Sequence, residues 1–276
     1  MSTVVSELRG FFPGRPSWRA RRALELMLET VLAGAALLGE MPFLDHLEEL
    51  RRRLIKCLIA LGVGSFVGFL YTAPIMTFLN APAASSGIHL VAIDGFEVFS
   101  VYFKVAAATG ICLAAPVLLW QIWRFVEPAL YKHEKRYAAP FIISTTICFV
   151  LGIVFGYTIV VPWLLNLERE MAIAAGITIT MSSESYLSTL TTTLISMGAI
   201  FEMPPIVFVL SRIGLINARF LIRSFRYAFL LFSVAAAVLT PSTTIPPMLF
   251  FMTVMTGIYM VSIVVAMIFG KTRKAE

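Results

Sequence analysis

The sequence predicts an all-α integral membrane protein with six transmembrane helices, and three observations carry that prediction. Of the 276 residues, 59% are hydrophobic and only 14% charged, and the mean hydropathy is +0.87, a composition that would leave a soluble protein insoluble. A bilayer span needs about 20 mostly apolar residues, and the chain supplies enough such runs for six helices. Basic residues gather in every second connection between those runs, which is how membrane topology is written into a sequence. No room is left for a second, soluble domain. Residues 1–40 are read as an N-terminal extension of uncertain structure, 41–270 as the six-span domain, and 271–276 as a basic tail.

Residues 1–40 are the least readable stretch. Arg9, Arg15, Arg19, Arg21 and Arg22 precede an apolar run interrupted by Glu25 and Glu29, too short and too charged to span. A basic start before a short apolar core has the form of a signal peptide, but cleavage there would set the next segment against the charge rule below. Three readings stay open: an interfacial helix, a poorly ordered extension, or sequence upstream of a start at Met41.

From Pro42 the pattern sharpens. Phe43, Leu47, Leu50 and Leu54 recur at steps of four, three and four, the spacing of one helix face. Asp45, His46, Glu48, Glu49, Arg51, Arg52 and Arg53 hold the other face. The spacing predicts a helix lying on the interface that turns into a first span at about 54–71. Residues 73–100, with Pro74, Pro82, Ser85, Ser86 and Gly87, form a long connection that carries Asp94 and Glu97 but no basic residue. A second span follows at about 101–123. Lys104 near its end can snorkel to the headgroups, and Pro116 is placed to bend it.

Residues 119–137, LWQIWRFVEPALYKHEKRY, form a polar hinge between two apolar runs. Trp120, Trp123 and Phe125 are expected at a membrane edge, Pro128 breaks the chain, and Lys132, His133, Glu134, Lys135 and Arg136 end the stretch. So short a connection has room for a turn but not for a domain, which leaves recognition to a few side chains. The third span, about 138–165, carries Gly152 and Gly156, small residues four apart that permit close helix packing. A connection at 166–185 holds Glu168, Arg169, Glu170 and Glu184. The fourth span, near 186–210, is interrupted by Glu202, Pro204 and Pro205. Residues 211–226 add Arg212, Arg219, Arg223 and Arg226. That leaves a fifth span of only 13 residues, 227–239, which must tilt little, thin the bilayer or keep its ends in protein. Residues 240–247 turn the chain, and the sixth span ends at Phe269 before Lys271, Arg273 and Lys274.

Basic residues decide the orientation. The segments before span one, between two and three, between four and five, and after six carry four, four, four and three of them. The opposite connections carry Arg169 alone, plus Lys104 at a helix end. By the positive-inside rule both termini are cytoplasmic, and Glu49 and Glu134 share that face. The net charge of +6 therefore reports topology and gives no reason to expect nucleic acid. No inverted repeat between the halves stands out.

The chemistry is that of binding. No HExxH, GxSxG or Walker-type glycine loop occurs, and the hydroxyls of 185–196 have no base at a readable spacing, so no catalytic residue is assigned. Cys57, Cys112 and Cys148 lie in apolar segments without paired spacing or neighbouring ligands, so neither a metal nor a disulfide framework is expected. No cofactor is expected either. Glu202 is the one carboxylate deep in a span, costly enough there to be a functional candidate. It reads either as the proton site of a secondary transporter or as a protonated or hydrogen-bonded packing residue beside the proline break. Glu49 and Glu134 read by charge pattern alone as surface ion pairs, Glu49 with Arg53 four residues on. On a face where fifteen charges are positive, acids near the membrane could also accept an incoming cationic peptide. Arginine is the natural guest, because its guanidinium meets a carboxylate bidentately.

FLDHLEELRRRL (43–54), WRFVEPALYKHEKR (123–136), GYTIVVP (156–162), FEMP (201–204) and LTP (239–241) resemble the signature blocks of the TatC family, the multi-spanning component of the twin-arginine protein translocase. The resemblance runs in order from 43 to about 270 and leaves 1–40 unexplained. It implies six helices forming a concave cup in the cytoplasmic (inner) membrane, with both termini cytoplasmic and helices five and six short. It implies a receptor for signal peptides bearing paired arginines on folded cargo, driven by the proton gradient. The implied partners are single-span TatA/TatB-type proteins, further TatC copies and lipid. Position by position, Glu49 and Glu134 match the family's acids that engage the arginine pair. Leu54, Phe125, Pro128, Leu130 and Tyr131 match residues lining or shaping that site, Pro82 a proline of the first outer loop, and Glu202 the polar site of span four. Thr243 departs from relatives that have an acid after the LTP turn. Glu127 is an extra acid beside the hinge, expected to strengthen the negative patch.

Overall fold

The computed structural model describes residues 41–126, 138–177, 180–240 and 244–270. By internal contacts the chain divides into two units, Met1–Arg53 and Leu54–Glu276. Among the described residues six helices are long and apolar enough to cross a membrane, as the sequence predicts. Their boundaries differ from the expected ones wherever strong helix formers extend past the apolar run.

The first helix, Met41–Leu70, is continuous over 30 residues, so no turn separates an interfacial segment from the span. Arg51 to Ala60 contains only residues of adequate helix propensity and no breaker. The connection expected at 73–100 is itself structured: it holds a helix, Thr72–Ser85, and a strand, His89–Val91. The second span, Glu97–Val126, runs through Pro116. The third, Ala138–Phe155, continues through a π-helical turn, Gly156–Val160, into Val161–Ala175. The loop expected from 166 therefore begins ten residues later, at Gly176, whose φ of 69° closes the helix as glycine does at little cost. Leu167 to Ala172 are all good helix formers, a signal that apolar-run reading misses.

The fourth span is two helices, Ser183–Ile200 and Met203–Ile213, and the break falls at Phe201 and Glu202 as expected. Pro204 and Pro205 suit the first turn of the second piece, where an N–H is not needed. The fifth span, Ala218–Leu239, has 22 residues, not 13. Asn217 caps it by accepting the Phe220 N–H at 2.7 Å, so three arginines lie inside the helix and not before it. The sixth is Ile245–Phe269. At 22 and 25 residues the last two spans remain shorter than the second, third and fourth, at 29, 35 and 31.

Within Leu54–Glu276 the fourth span is the hub: 56% of its most apolar window is buried, against 11% for the first span. Its first helix packs on the second and third spans, and Met203–Ile213 packs on the sixth, which in turn packs on the fifth. Met197, Val160, Phe251 and Ala236 form one buried cluster, and Val101, Val105, Tyr186 and Leu187 another. The exposed remainder of the first span, including Leu58, Ile59, Val63 and Phe66, is what a lipid-facing helix presents.

Glycines set the closest approaches. A Cβ on Gly152 would lie 2.5 Å from the Met197 carbonyl oxygen and 2.8 Å from Gly198 Cα, so the expected close packing at Gly152 is present between spans three and four. A second seam, which the apolar pattern did not reveal, joins spans one and two. There a Cβ on Gly64 would meet Gly110 O at 2.8 Å, and one on Gly110 would meet Ser65 N and Cα at 2.6 and 2.7 Å.

The short elements are fastened by polar groups. Pro82, buried within its helix, has no N–H to offer the Phe78 carbonyl four residues back; the Tyr157 hydroxyl donates to that oxygen instead, at 2.7 Å. Tyr186 donates likewise to Leu79 O at 2.7 Å. Strand His89–Val91 pairs in parallel with Thr180–Ser182. Glu97, 3% exposed, binds both ends of this arrangement. One oxygen accepts Ile93 N–H at 2.6 Å and Asp94 N–H at 3.3 Å, the other Ser182 Oγ–H at 2.6 Å and Glu184 N–H at 2.8 Å. Lys104 pairs with Glu184 at 2.5 Å. Glu97→Gln places an NH2 group against two donors whichever way it is turned. The expected result is a lower unfolding temperature with faster amide exchange at Ile93 and Glu184; exchange unchanged at both would remove Glu97 from this role.

Candidate functional site

The amphipathic start of the first helix presents Glu49 with its side chain one-third exposed. Arg53, one helical turn on, donates through Nε to Glu49 Oε1 at 3.1 Å and also through Nη2. Glu48 and Arg52 make a second pair of the same spacing at 3.1 Å, more exposed on both sides. The ion pair read from charge patterning is therefore formed. Such i,i+4 pairs are worth only about 0.3–0.5 kcal/mol, while a guest guanidinium in a charge-assisted bond gains about 1.5–3 kcal/mol. Arg53 therefore holds the Glu49 carboxylate in a defined rotamer without barring exchange for a better-placed arginine. The Leu47, Leu50 and Leu54 side chains are 45%, 43% and 56% exposed, an apolar row along the same helix.

The end of the second span is packed against its neighbours. Trp123, three residues before the end of the second span, is 3% exposed and packs on Phe141 of the third span, with ring centroids 4.5 Å apart, and beside Val209 of the fourth. A large ring that joins three helices gains more from burial than from an interface. Its indole N–H finds no acceptor among the described residues. Trp120 is 46% exposed. Phe125 is half-buried at the helix end. Glu127, Pro128, Leu130, Tyr131 and Glu134 lie outside the described residues, as do Thr243, 1–40 and 271–276.

Glu202 occupies the break in the fourth span. It is 7% exposed, and neither carboxylate oxygen has a hydrogen-bond partner among the described residues. Its backbone carbonyl accepts Ile206 N–H at 3.1 Å, so only the side chain is left unsatisfied. Of the two packing readings open to it in the sequence, the hydrogen-bonded one has no partner among the described residues, and the protonated one stays open. A bare carboxylate in a bilayer-depth environment is costly, and a donor arriving from outside the chain relieves that cost. Pro82, Leu54 and Phe125 are described, and Pro82 serves the helix Thr72–Ser85 as set out above.

Comparisons with known proteins follow this geometry. The family model for Sec-independent protein translocase protein (TatC) matches residues 45–254. A TatC protein of Koribacter versatilis is 38% identical over 241 residues, covering 85% of this chain and 88% of that one. The chloroplastic protein of rice is 34% identical over 74% of this chain, which spans 56% of that longer relative. A crystal structure of a twin-arginine translocase receptor, TatC in DDM, superposes with a TM-score of 0.74 at 31% identity, covering 80% of this chain and 99% of that one.

Proposed function

The chain belongs to the TatC family of Sec-independent protein translocase proteins, and from that premise we propose that it is the receptor for signal peptides bearing paired arginines. It is a multi-pass membrane protein. Our reading places it in the cytoplasmic (inner) membrane with both termini cytoplasmic and the six helices forming a concave cup. Residues 41–270 would be the translocase domain, 1–40 an extension and 271–276 a basic tail.

The observation that supports the reading best is Glu49: a carboxylate on an amphipathic helix, one-third exposed and already engaging a guanidinium through two nitrogens. In this proposal the peptide's arginines exchange for Arg53 at Glu49 and engage Glu134. Leu54, Phe125, Pro128, Leu130 and Tyr131 shape the site, and the peptide's apolar segment then lies along the spans. Single-span partners supply a polar group to Glu202 and bring further copies of the chain, and the proton gradient supplies the energy. No bond is made or broken by this chain. A proton-coupled transporter centred on Glu202 is not favoured, because the relatives are translocase proteins.

A photo-crosslinker placed beside the arginine pair of a signal peptide tests the reading in membranes that contain the full chain. Crosslinks to this chain should form with the Arg-Arg peptide and be strongly reduced with Lys-Lys, since a point charge does not reproduce the bidentate contact. Substrate-dependent proton flux that is lost in Glu202→Gln while Glu49→Ala is harmless would replace this proposal with transport.

A further inference from the structure

The start of the fifth span holds charge that no acidic side chain among the described residues pairs with. Arg219, Arg223 and Arg226 are all exposed, and at about 100° per residue they fall within roughly 60° of arc on one helix face. They climb about 10 Å along the axis. The buried side chains of the same helix, Leu221, Phe232 and Ala236, point the opposite way, toward the sixth span. Arg226 donates to the Tyr227 hydroxyl at 2.6 Å and lies over its ring at 4.6 Å. Arg219 and Arg223 make no hydrogen bond or ion pair among the described residues, and residues 203–275 contain no Asp or Glu.

The same outward face continues past the arginines as Leu230 and Val234, 65% and 58% exposed, with Phe220 and Ile222 flanking the basic end at 57% and 56%. Arginine in the hydrocarbon core is expensive, so the basic turns must sit at headgroup depth and the apolar ones below them. One unbroken face therefore offers guanidinium groups at phosphate level and an apolar strip at acyl level.

We propose that this face is a binding site for an anionic phospholipid, with its phosphate between Arg219 and Arg223, Arg226 toward the acyl side, and a chain along Leu230 and Val234. A phosphate takes guanidinium groups bidentately, and a whole lipid, unlike a free anion, also covers the apolar strip. The inference is independent of the receptor reading and needs no signal peptide.

The test reconstitutes the full chain in nanodiscs of phosphatidylcholine with a minority of phosphatidylglycerol, and reads the enrichment of each lipid on the released protein by native mass spectrometry. Wild type should enrich phosphatidylglycerol. At low salt the enrichment should fall about fivefold for each arginine replaced in Arg219→Gln, Arg223→Gln and Arg226→Gln. Should the triple variant fail to fold, the Arg-to-Lys triple variant and wild type at high salt carry the test. Lysines should retain most of the enrichment, and salt should reduce it strongly. Enrichment unchanged by both charge removal and salt overturns the proposal. Displacement of the lipid by inorganic phosphate overturns it in favour of a free-anion site. Loss of an acidic partner segment in the Gln variants, with enrichment intact, overturns it in favour of a protein surface.

Discussion

Glu49→Ala and Glu134→Ala are each expected to weaken binding of a twin-arginine peptide by about 10- to 100-fold, the loss of one charge-assisted hydrogen-bonded contact worth about 1.5–3 kcal/mol. The expected size follows from competition at the carboxylate. Arg53 already pairs with Glu49, the two side chains being 17% and 33% exposed; a pair four residues apart on one helix contributes about 0.2–0.5 kcal/mol, less than the guest gains. Alanine at 49 removes the pair with Arg53 and should cost about 1 kcal/mol of stability or less, a smaller effect than the loss of peptide affinity. Peptide titration and thermal unfolding on the same preparations separate the two effects. A variant that loses peptide and stability together would mean that Glu49 acts through the fold and not on the guest.

Gly110→Val should give the largest loss of stability, about 3 kcal/mol, by forcing the first span away from the second. Even the Cβ alone would come within 2.7 Å of Ser65 backbone atoms, and backbone cannot yield as a side-chain tip can. Overpacking of this kind costs about 1–3 kcal/mol, and valine regains little helix propensity to offset it. Gly62, on the same first span, is the control, since a Cβ there meets nothing within 4 Å; Gly62→Val should change stability by about 0.5 kcal/mol or less. Unfolding in detergent monitored by helix content measures both. Equal effects at 62 and 110 would remove the glycine seam from the account.

Spans were legible because hydropathy is an average over some 20 residues and tolerates local error. The break at Glu202 was legible because a carboxylate followed by two prolines admits few other conformations. Span ends were not, since Asn217 and Gly176 cap helices by specific local bonds and backbone angles that an average ignores. The seam between Gly64, Gly68 and Gly110 had a readable signal in the four-residue spacing of Gly64 and Gly68, the same spacing that identified Gly152 and Gly156. Glu97 could not be found that way. Its donors come from Ile93, Asp94, Ser182 and Glu184, up to 87 residues from it along the chain, and only the folded chain brings them together. The packing of Trp123 between three helices was not legible either, because tryptophan suits both a membrane edge and a helix junction and composition does not show which neighbours it meets.

The central claim is that Glu49 and Glu134 recognise the guanidinium groups of one guest. A double-mutant cycle tests it most directly: peptide affinity measured for Arg-Arg and Gln-Gln peptides against wild type, each alanine variant and the pair. The account predicts that exchanging the arginines for glutamine weakens binding strongly in wild type and hardly at all once both carboxylates are gone, a coupling of about 1.5 kcal/mol or more. The same loss in wild type and double variant would show that the arginines are read elsewhere, and would contradict it.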